Sequence, residues 1–350
     1  MSNYYTLKVK EVIRETKDAI TIQFKQPLFK KIKYKSGQFL TLIIPINGKK
    51  ERRSYSICST PELDDHIAVM VKRVEGGLIS NYLNDKVKAG DSIEVMEPMG
   101  NFVLEPDRKK KRHIVLFGAG SGITPLMSIL RGILFFEPES IVSLLYGNRH
   151  EGTIIFRKEL DQLKSKFGDR FNLAHTLTEY DNLWQSYKGR IDRTMTVNFV
   201  NLLPKFSEQE TEYFLCGPQG MMDEVKEGLK ILKVNPSKIH SESFFIAPTT
   251  PQNSGENDTQ MHEVIIHVNG ETHKISIPPQ KSILDIALDN GIDMPYSCQN
   301  GLCTACRSRC LSGSVKMLRG DGLSSSEIAQ GYVLTCVGIP LTPTVEIEVG

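Results

Sequence analysis

The chain lacks any sustained apolar run. Its most apolar stretch, Ile114 to Phe136, is broken by Gly118, Gly120, Gly122, Pro125 and Arg131. It reads as a strand, a turn and a buried helix rather than a membrane span. An apolar signal core is also missing, because Met1 to Lys10 runs straight into a strand-like pattern, so a cytoplasmic protein is expected. Neither sign of charge dominates. With 43 basic against 41 acidic side chains and a net charge of +2, there is no electrostatic footprint for nucleic acid. Cysteine is too sparse and odd in number, seven over 350 residues, for a disulfide framework, which points to a reduced interior. No internal repeat is visible. The eight histidines are scattered, and no Ser-His-Asp set presents itself as a protein nucleophile.

What is present suffices for two or three domains, since 24% charged and 40% hydrophobic residues over this length are ordinary for globular cores. Residues 1–107 alternate apolar and polar positions over short runs such as Ala19–Phe24, Phe39–Ile44 and Ile67–Val74, separated by turn residues. That pattern predicts an antiparallel β-barrel. In residues 108–246, apolar strands (His113–Phe117, Ile141–Tyr146, Tyr213–Cys216) alternate with helical stretches (Pro125–Leu134, Ile155–Phe167, Gln219–Leu232). This implies an α/β unit with a parallel sheet covered on both faces. The basic run Arg108–Arg112 between them is expected to be a solvated boundary, or else a docking point for an acidic partner. Residues 247–260, rich in Pro, Ser, Thr, Asn and Gly, predict a flexible linker. Residues 261–350 form a third compact domain, with strands at Glu263–Val268, His273–Ile277 and Thr344–Val349 and a helix at Ile283–Asn290.

The third domain carries Cys298, Cys303 and Cys306, then Cys336 after a gap. C-x4-C-x2-C…C is the plant-type spacing for a [2Fe–2S] cluster. Ser297, Gly301, Thr304 and Ala305 are small enough to let backbone N–H groups reach the sulfurs. Two other readings stay open at this point: a zinc site, although only Cys303 and Cys306 form a knuckle pair, and plain buried thiols. Cys310 falls outside the ligand spacing and is expected to be structural. The segment from Pro295 to Cys306 resembles a plant-type ferredoxin, which implies an α+β, β-grasp fold.

Arg53-Ser54-Tyr55-Ser56 reads R-x-Y-S after a strand, and Val71-Lys72-Arg73-Val74-Glu75-Gly76-Gly77-Leu78-Ile79-Ser80 follows. Glycines at 76 and 77 admit close backbone approach, and a helix beginning near Leu78 offers N–H groups to an anion. These motifs resemble the ferredoxin–NADP reductase superfamily. The resemblance implies FAD, with Tyr55 stacked on the ring, Ser56 near N5, Arg53 on phosphate, and Ser54, Val71, Lys72, Gly76, Gly77, Leu78, Ile79 and Ser80 around the cofactor; some relatives use FMN instead.

A second set of motifs follows the same family. Gly118-Ala119-Gly120-Ser121-Gly122-Ile123-Thr124-Pro125 links a strand to a helix and departs from G-x-G-x-x-G. It matches the superfamily's G-x-G-x-G-x-[TS]-P, implying that Gly118, Gly120, Ser121, Gly122, Thr124 and Pro125 cradle a nicotinamide nucleotide. Cys216-Gly217-Pro218, with Met221 beyond, matches the family's C-G-P segment beside the nicotinamide. Glu242-Ser243-Phe244 matches an acid two residues before an aromatic covering the flavin, with Phe245 an adjacent candidate for that aromatic. Ser56, Cys216, Glu242 and Phe244 are thus the implied catalytic set. No carboxylate directly follows Ile141–Gly147, whereas Arg149 does, which favours NADPH, with NADH as the alternative.

The domain order, with Tyr146–Arg149 reading YGNR, is similar to the reductase components of multicomponent oxygenases, the phenylacetyl-CoA epoxidase reductase group among them. The resemblance implies electron flow from NAD(P)H through FAD to the cluster and on to an oxygenase or other acceptor protein. The linker would let the third domain alternate between flavin and acceptor. A free-standing diaphorase or flavin reductase and a non-catalytic redox-sensing module are the alternatives.

Overall fold

A computed structural model describes residues 4–27, 31–46, 48–206, 210–244, 260–299, 301, 303–318 and 322–349. The segment expected to be a linker, apart from Gln260, lies outside the described residues, as does Phe245.

Six strands, β1 (Tyr4–Thr16), β2 (Ala19–Lys25), β3 (Phe39–Ile46), β4 (Lys49–Ser56), β5 (His66–Lys72) and β6 (Ser92–Met96), form an antiparallel sheet in the order β4-β3-β6-β1-β2-β5. Its edges meet just past β4, where Ile57 bridges Val69 and the Cys58 N–H donates to Ala68 O at 2.9 Å. The sheet therefore curls onto itself, and α1 (Leu78–Lys86) closes it by inserting Ile79 and Leu83 into the barrel core. Strand β5 shows how the barrel joins its neighbour. Ile67, Val69 and Val71 point into the barrel, while Ala68 and Met70 point into the core of the following unit. A strand buried on both faces must be apolar throughout, which is why His66–Lys72 does not alternate.

The second unit holds β7 (His113–Ala119), α2 (Ile123–Phe136), β8 (Ile141–Asn148), α3 (Arg157–Phe167), β9 (Phe171–Leu177), β10 (Tyr187–Lys188), α4 (Arg193–Leu202), β11 (Thr211–Cys216), α5 (Gln219–Ile231) and β12 (Ile239–Glu242). All six strands run parallel in the order β10-β9-β8-β7-β11-β12. Helices α2 and α3 cover one face, with α4 and α5 on the other. The chain steps outward from β7 through β9, then returns to place β11 on the far side of β7. The two strand ends diverge there, the usual ligand crevice of such sheets.

In the third unit, β13 (His262–Val268), β14 (Glu271–Ile277), β15 (Arg307–Ser312), β17 (Tyr332–Leu334) and β19 (Thr344–Val349) form a mixed sheet in the order β14-β13-β19-β15-β17. Only the central pair β13–β19 is parallel. Helix α6 (Ile283–Asp289) packs Ile283, Leu284 and Ala287 onto it, while α7 (Ser325–Ala329) and the small pair β16 (Val315–Met317) and β18 (Gly338–Pro340) complete a β-grasp arrangement. Among the described residues no helix is long and apolar enough to cross a membrane.

One expectation holds only in part: Arg108 to Lys111 are exposed as a solvated boundary would be. The basic run ends in Arg112, which is not solvated but only 5% exposed. Its guanidinium donates to the Glu137 carboxylate at 2.7 and 3.1 Å, to Glu212 at 3.0 Å and to Glu105 O at 3.1 Å. Glu137 is wholly buried and also accepts from Ser140 and the Asp107 N–H. Opposite charges this well enclosed are costly to separate. Glu137→Ala is expected to destabilise the second unit by about 2–4 kcal/mol, because it strips the buried guanidinium of two hydrogen bonds and leaves Glu212 as its carboxylate partner. Calorimetric melting should show the loss, and adding Arg112→Met should recover much of it.

Candidate functional site

The site grows from the strand ends at the crevice. Cys216 is the register partner of Gly118 on one side and of Glu242 on the other, so three separate motifs end side by side. A single 3-10 turn, Gly120–Gly122, leads from β7 into α2, and Gly120 takes the left-handed conformation at φ +54°. The Thr124 hydroxyl donates to Ser121 O at 2.7 Å, and Pro125 is buried in the first turn of α2. Gly122 lies so close to β11 that a Cβ there would stand 1.9 Å from Cys216 O and 2.8 Å from Gly217 N. Met221 packs over Gly217 from the start of α5.

Next to this loop, Asn148 ends β8 at 8% exposure, and its Nδ2 has no partner at hydrogen-bond distance. A buried amide left open at the mouth of a glycine turn fits a ligand that brings its own acceptors. Arg149 is exposed, and its guanidinium stands 3.9 Å from Glu179, so a carboxylate absent from the sequence beside Arg149 is supplied by the end of β9. Lys72 reaches the same place from the first unit, since a Cβ on Gly120 would meet Lys72 Nζ at 3.3 Å. Burial and the nearby Arg149 charge hold the Lys72 ammonium below the usual lysine range. Two cations held together in this way favour an anionic ligand.

The R-x-Y-S segment lies on β4, where successive side chains face opposite ways. Arg53 is exposed, and Tyr55 packs its ring against the barrel core. Ser54 and Arg52, on the alternate face, turn to the third unit: Ser54 Oγ lies 3.0 Å from Ser297 Oγ. The pleat thus assigns Ser54 to a different neighbour from the one the motif suggests. In the second flavin motif, Gly76 has φ +68° and Gly77 caps α1. Ser80 Oγ accepts from the Val74 N–H at 3.1 Å, so its hydroxyl shapes the turn. Val71 and Ile79 bury their side chains in the barrel, leaving only backbone groups for a ligand, and Leu78 is exposed.

The first two units meet at Glu242. Its carboxyl lies 3.4 Å from Ser56 Oγ, and it is pushed up to about 8 by burial, which outweighs the Ser56 hydrogen bond, with the Cys298 charge raising it further. Ser56 Oγ donates to this carboxyl, whose proton is held far more tightly than an ordinary glutamic acid's. Cys216 is fully buried, and burial together with Glu242 holds its thiol well above the ordinary range. It is packed as a neutral thiol rather than as a nucleophile. Phe244 is 41% exposed, close to Glu242 in the chain.

Among the described residues no three His, Cys, Asp or Glu side chains converge as a single metal ion requires. The four expected cysteines instead meet as two pairs. Cys303 shares a side-chain hydrogen bond with Cys298, and Cys306 with Cys336, while the Cys298 charge acts on both Cys306 and Cys336. Two thiols for each of two irons is the donor set of a [2Fe–2S] cluster and not of a zinc ion. Backbone N–H groups of Ala305 and Gly301 bond to the sulfurs of Cys303 and Cys336. Cys310 sits apart on β15, its Sγ donating to Ser312 O at 3.4 Å. The sequence reading missed Gly322, whose N–H donates to Gly301 O at 2.8 Å and where a Cβ would lie 2.8 Å from Cys303 N. No local signal marks it, because its neighbour in the fold is twenty residues away in the chain.

Comparison with known proteins matches three family models in chain order: an oxidoreductase FAD-binding domain over residues 6–104, an oxidoreductase NAD-binding domain over 116–227 and a 2Fe-2S iron-sulfur cluster binding domain over 266–341. The chain is 36% identical to one component of the 1,2-phenylacetyl-CoA epoxidase of Escherichia coli, across 99% of this chain and 98% of that protein. It is 35% identical to the ferredoxin reductase component of 3-ketosteroid-9-alpha-monooxygenase from Rhodococcus rhodochrous, across 98% and 96%. Among solved structures, phthalate dioxygenase reductase superimposes with a TM-score of 0.62 at 23% identity, covering 99% of this chain and 98% of that one, a likeness of fold.

Proposed function

From the premise that the chain belongs to the family of FAD-, NAD- and [2Fe–2S]-dependent reductase components of multicomponent oxygenases, we propose that it draws electrons from NADPH and delivers them to a terminal oxygenase. The observation that carries this reading is the buried contact of Ser56 with Glu242, which joins the barrel to the end of the parallel sheet, on the same strand whose Ser54 reaches Ser297 beside Cys298. As bound groups, the flavin takes two electrons as hydride from the nicotinamide and releases them singly, and the cluster accepts one at a time.

The protein's own part is orientation and the exclusion of water. Gly118 to Thr124 and Asn148 hold the nucleotide at the crevice. Cys216, packed flat at the end of β11, gives the nicotinamide an apolar neighbour without competing for its hydride. Glu242 accepts from Ser56 and, enclosed by burial, resists ionisation, which limits buried negative charge at the junction. Tyr55, Ser56, Arg53 and the Gly76–Gly77 turn hold the flavin; Cys298, Cys303, Cys306 and Cys336 hold the cluster.

Lys72 and Arg149 repel one another unless a further anion lies between them, and the 2′-phosphate of NADPH supplies one. Arg149→Ala is expected to raise KM for NADPH roughly tenfold while leaving KM for NADH within about twofold. Steady-state assays with each nucleotide check this, and equal effects on both would remove Arg149 from the choice. The reading as a whole is tested by anaerobic addition of NADPH to the purified holoprotein. Flavin and iron–sulfur absorbance should both bleach, and one oxygenase should be reduced saturably in preference to unrelated acceptors. Unselective reduction of every acceptor would make the protein a diaphorase. No bleaching at all would make it a redox-sensing module.

A further inference from the structure

The third unit rests on the barrel over a mixed face. Phe39, Ile43 and Met96 of the barrel pack with Cys303 and Ala305. Beside them, the hydroxyls of Thr41, Ser54 and Ser297 form a closed cluster, with Thr41 and Ser54 3.2 Å apart. A crevice of about 270 Å³, lined in part by Gln38, Glu97, Asn101 and Thr304, remains open between the two. An interface this polar and incompletely filled belongs with contacts that form and release.

Arg52 is a charge enclosed within it. It is only 6% exposed, donates from Nη2 to Asp293 Oδ1 at 3.1 Å, and sets its guanidinium 5.0 Å from the centre of the Tyr296 ring. Its Nε is buried without a partner. Asp293, by contrast, has a side chain 74% exposed. The burial of Arg52 thus comes from the third unit lying over it. Separation would rehydrate a guanidinium whose Nε has no partner when docked, which makes the contact directional yet releasable. Tyr296 and Ser297 directly precede Cys298 and Asp293 lies five residues before it, so whatever holds them also bears on the position of the first cluster ligand.

We propose that Arg52 is the positioning residue that seats the ferredoxin-like unit on the barrel, so that electron transfer from flavin to cluster depends on it while hydride transfer does not. This rests on the relay reading above. In the step concerned, one electron leaves the reduced flavin and enters the oxidised cluster, and no bond forms or breaks. Arg53, its neighbour on the opposite face, is left to the flavin.

The test uses the full-length holoprotein in two measurements. In anaerobic stopped-flow with NADPH, Arg52→Gln is expected to keep the flavin-reduction phase within about twofold and to slow the cluster phase at least about tenfold. Hydrogen exchange in segments 293–298 and 49–56 should rise together in the same variant. Asp293→Asn, on the exposed side of the pair, should slow the cluster phase by about two- to threefold at low salt and not at high salt. Unchanged cluster reduction and unchanged exchange in Arg52→Gln would overturn the proposal. Should that variant lose flavin, Asp293→Asn and Tyr296→Leu decide instead: a normal cluster phase and normal exchange in both would overturn it, and slowing with raised exchange would sustain it. A wild-type cluster that stays oxidised under NADPH would refute the relay, and hydrogen exchange would then judge the seating by itself.

Discussion

Cys336→Ser is expected to lower NADPH-driven cytochrome c reduction by about 100-fold or more while ferricyanide reduction stays within about twofold. Cys336 is the one thiol contributed from outside the 298–306 loop, and it pairs with Cys306. Its loss leaves one of the two irons with a single thiolate, and a serine oxygen is a poor substitute for a soft sulfur donor. The selectivity follows from packing. Cys336 packs against the core of the third unit, apart from the cluster at the docking face, so its loss should leave the barrel and the second unit undisturbed. Cys303→Ser would be a less clean experiment, because Cys303 also packs against Phe39, Ile43 and Met96 at the docking face. Cys310→Ser is the control and should retain the cluster absorbance. The check is iron content and visible absorbance alongside both assays, and a Cys336→Ser protein with a full cluster would remove Cys336 from the ligand set.

Gly122→Ala is expected to reduce hydride transfer by about two orders of magnitude with FAD and iron content unchanged, at a stability cost of about 1–3 kcal/mol. The backbone there is ordinary right-handed helix (φ −62°, ψ −14°), which alanine adopts freely. The whole effect is therefore steric. A methyl group would stand 1.9 Å from Cys216 O and 2.4 Å from its carbonyl carbon. Both atoms are backbone at the end of a buried strand, and neither can rotate away. The glycine turn and the Cys216–Pro218 segment must part, and in the proposed function they are the two walls of the nicotinamide crevice. Gly220→Ala, in the same segment, is the contrast: its Cβ meets nothing within 4 Å, and the change should leave turnover alone. Rapid-mixing flavin reduction at saturating NADPH separates the two, and normal reduction in Gly122→Ala would mean the crevice can widen without harm.

Where side chains act through neighbours in the chain, the sequence was legible. The C-x4-C-x2-C spacing confines three thiols to one loop, and the glycine turn between an apolar strand and a helix is a local arrangement. The long helices were placed to within about a turn: α2 runs Ile123–Phe136 where Pro125–Leu134 was expected. Helix α4 escaped notice because Arg193–Leu202 is rich in Thr, Val and Asn, weak helix formers, and buries only Thr196 and Phe199. Its one local signal was Asp192, whose side chain caps the Met195 N–H at 2.7 Å.

By itself, then, the sequence determined which cofactors the chain is built to hold and in what order, because those motifs are short and their chemistry is local. Tertiary structure alone decided which motifs meet. It buried Arg112 within a basic run that reads as solvated. It set Ser54 and Arg52 against the cluster loop, brought Lys72 from the barrel to the glycine turn, and gave Gly122 its close approach to Cys216. Each of these pairs is separated by tens to hundreds of residues. Side-chain periodicity says which face of a strand a residue occupies, but only the packed sheets say what lies across from that face.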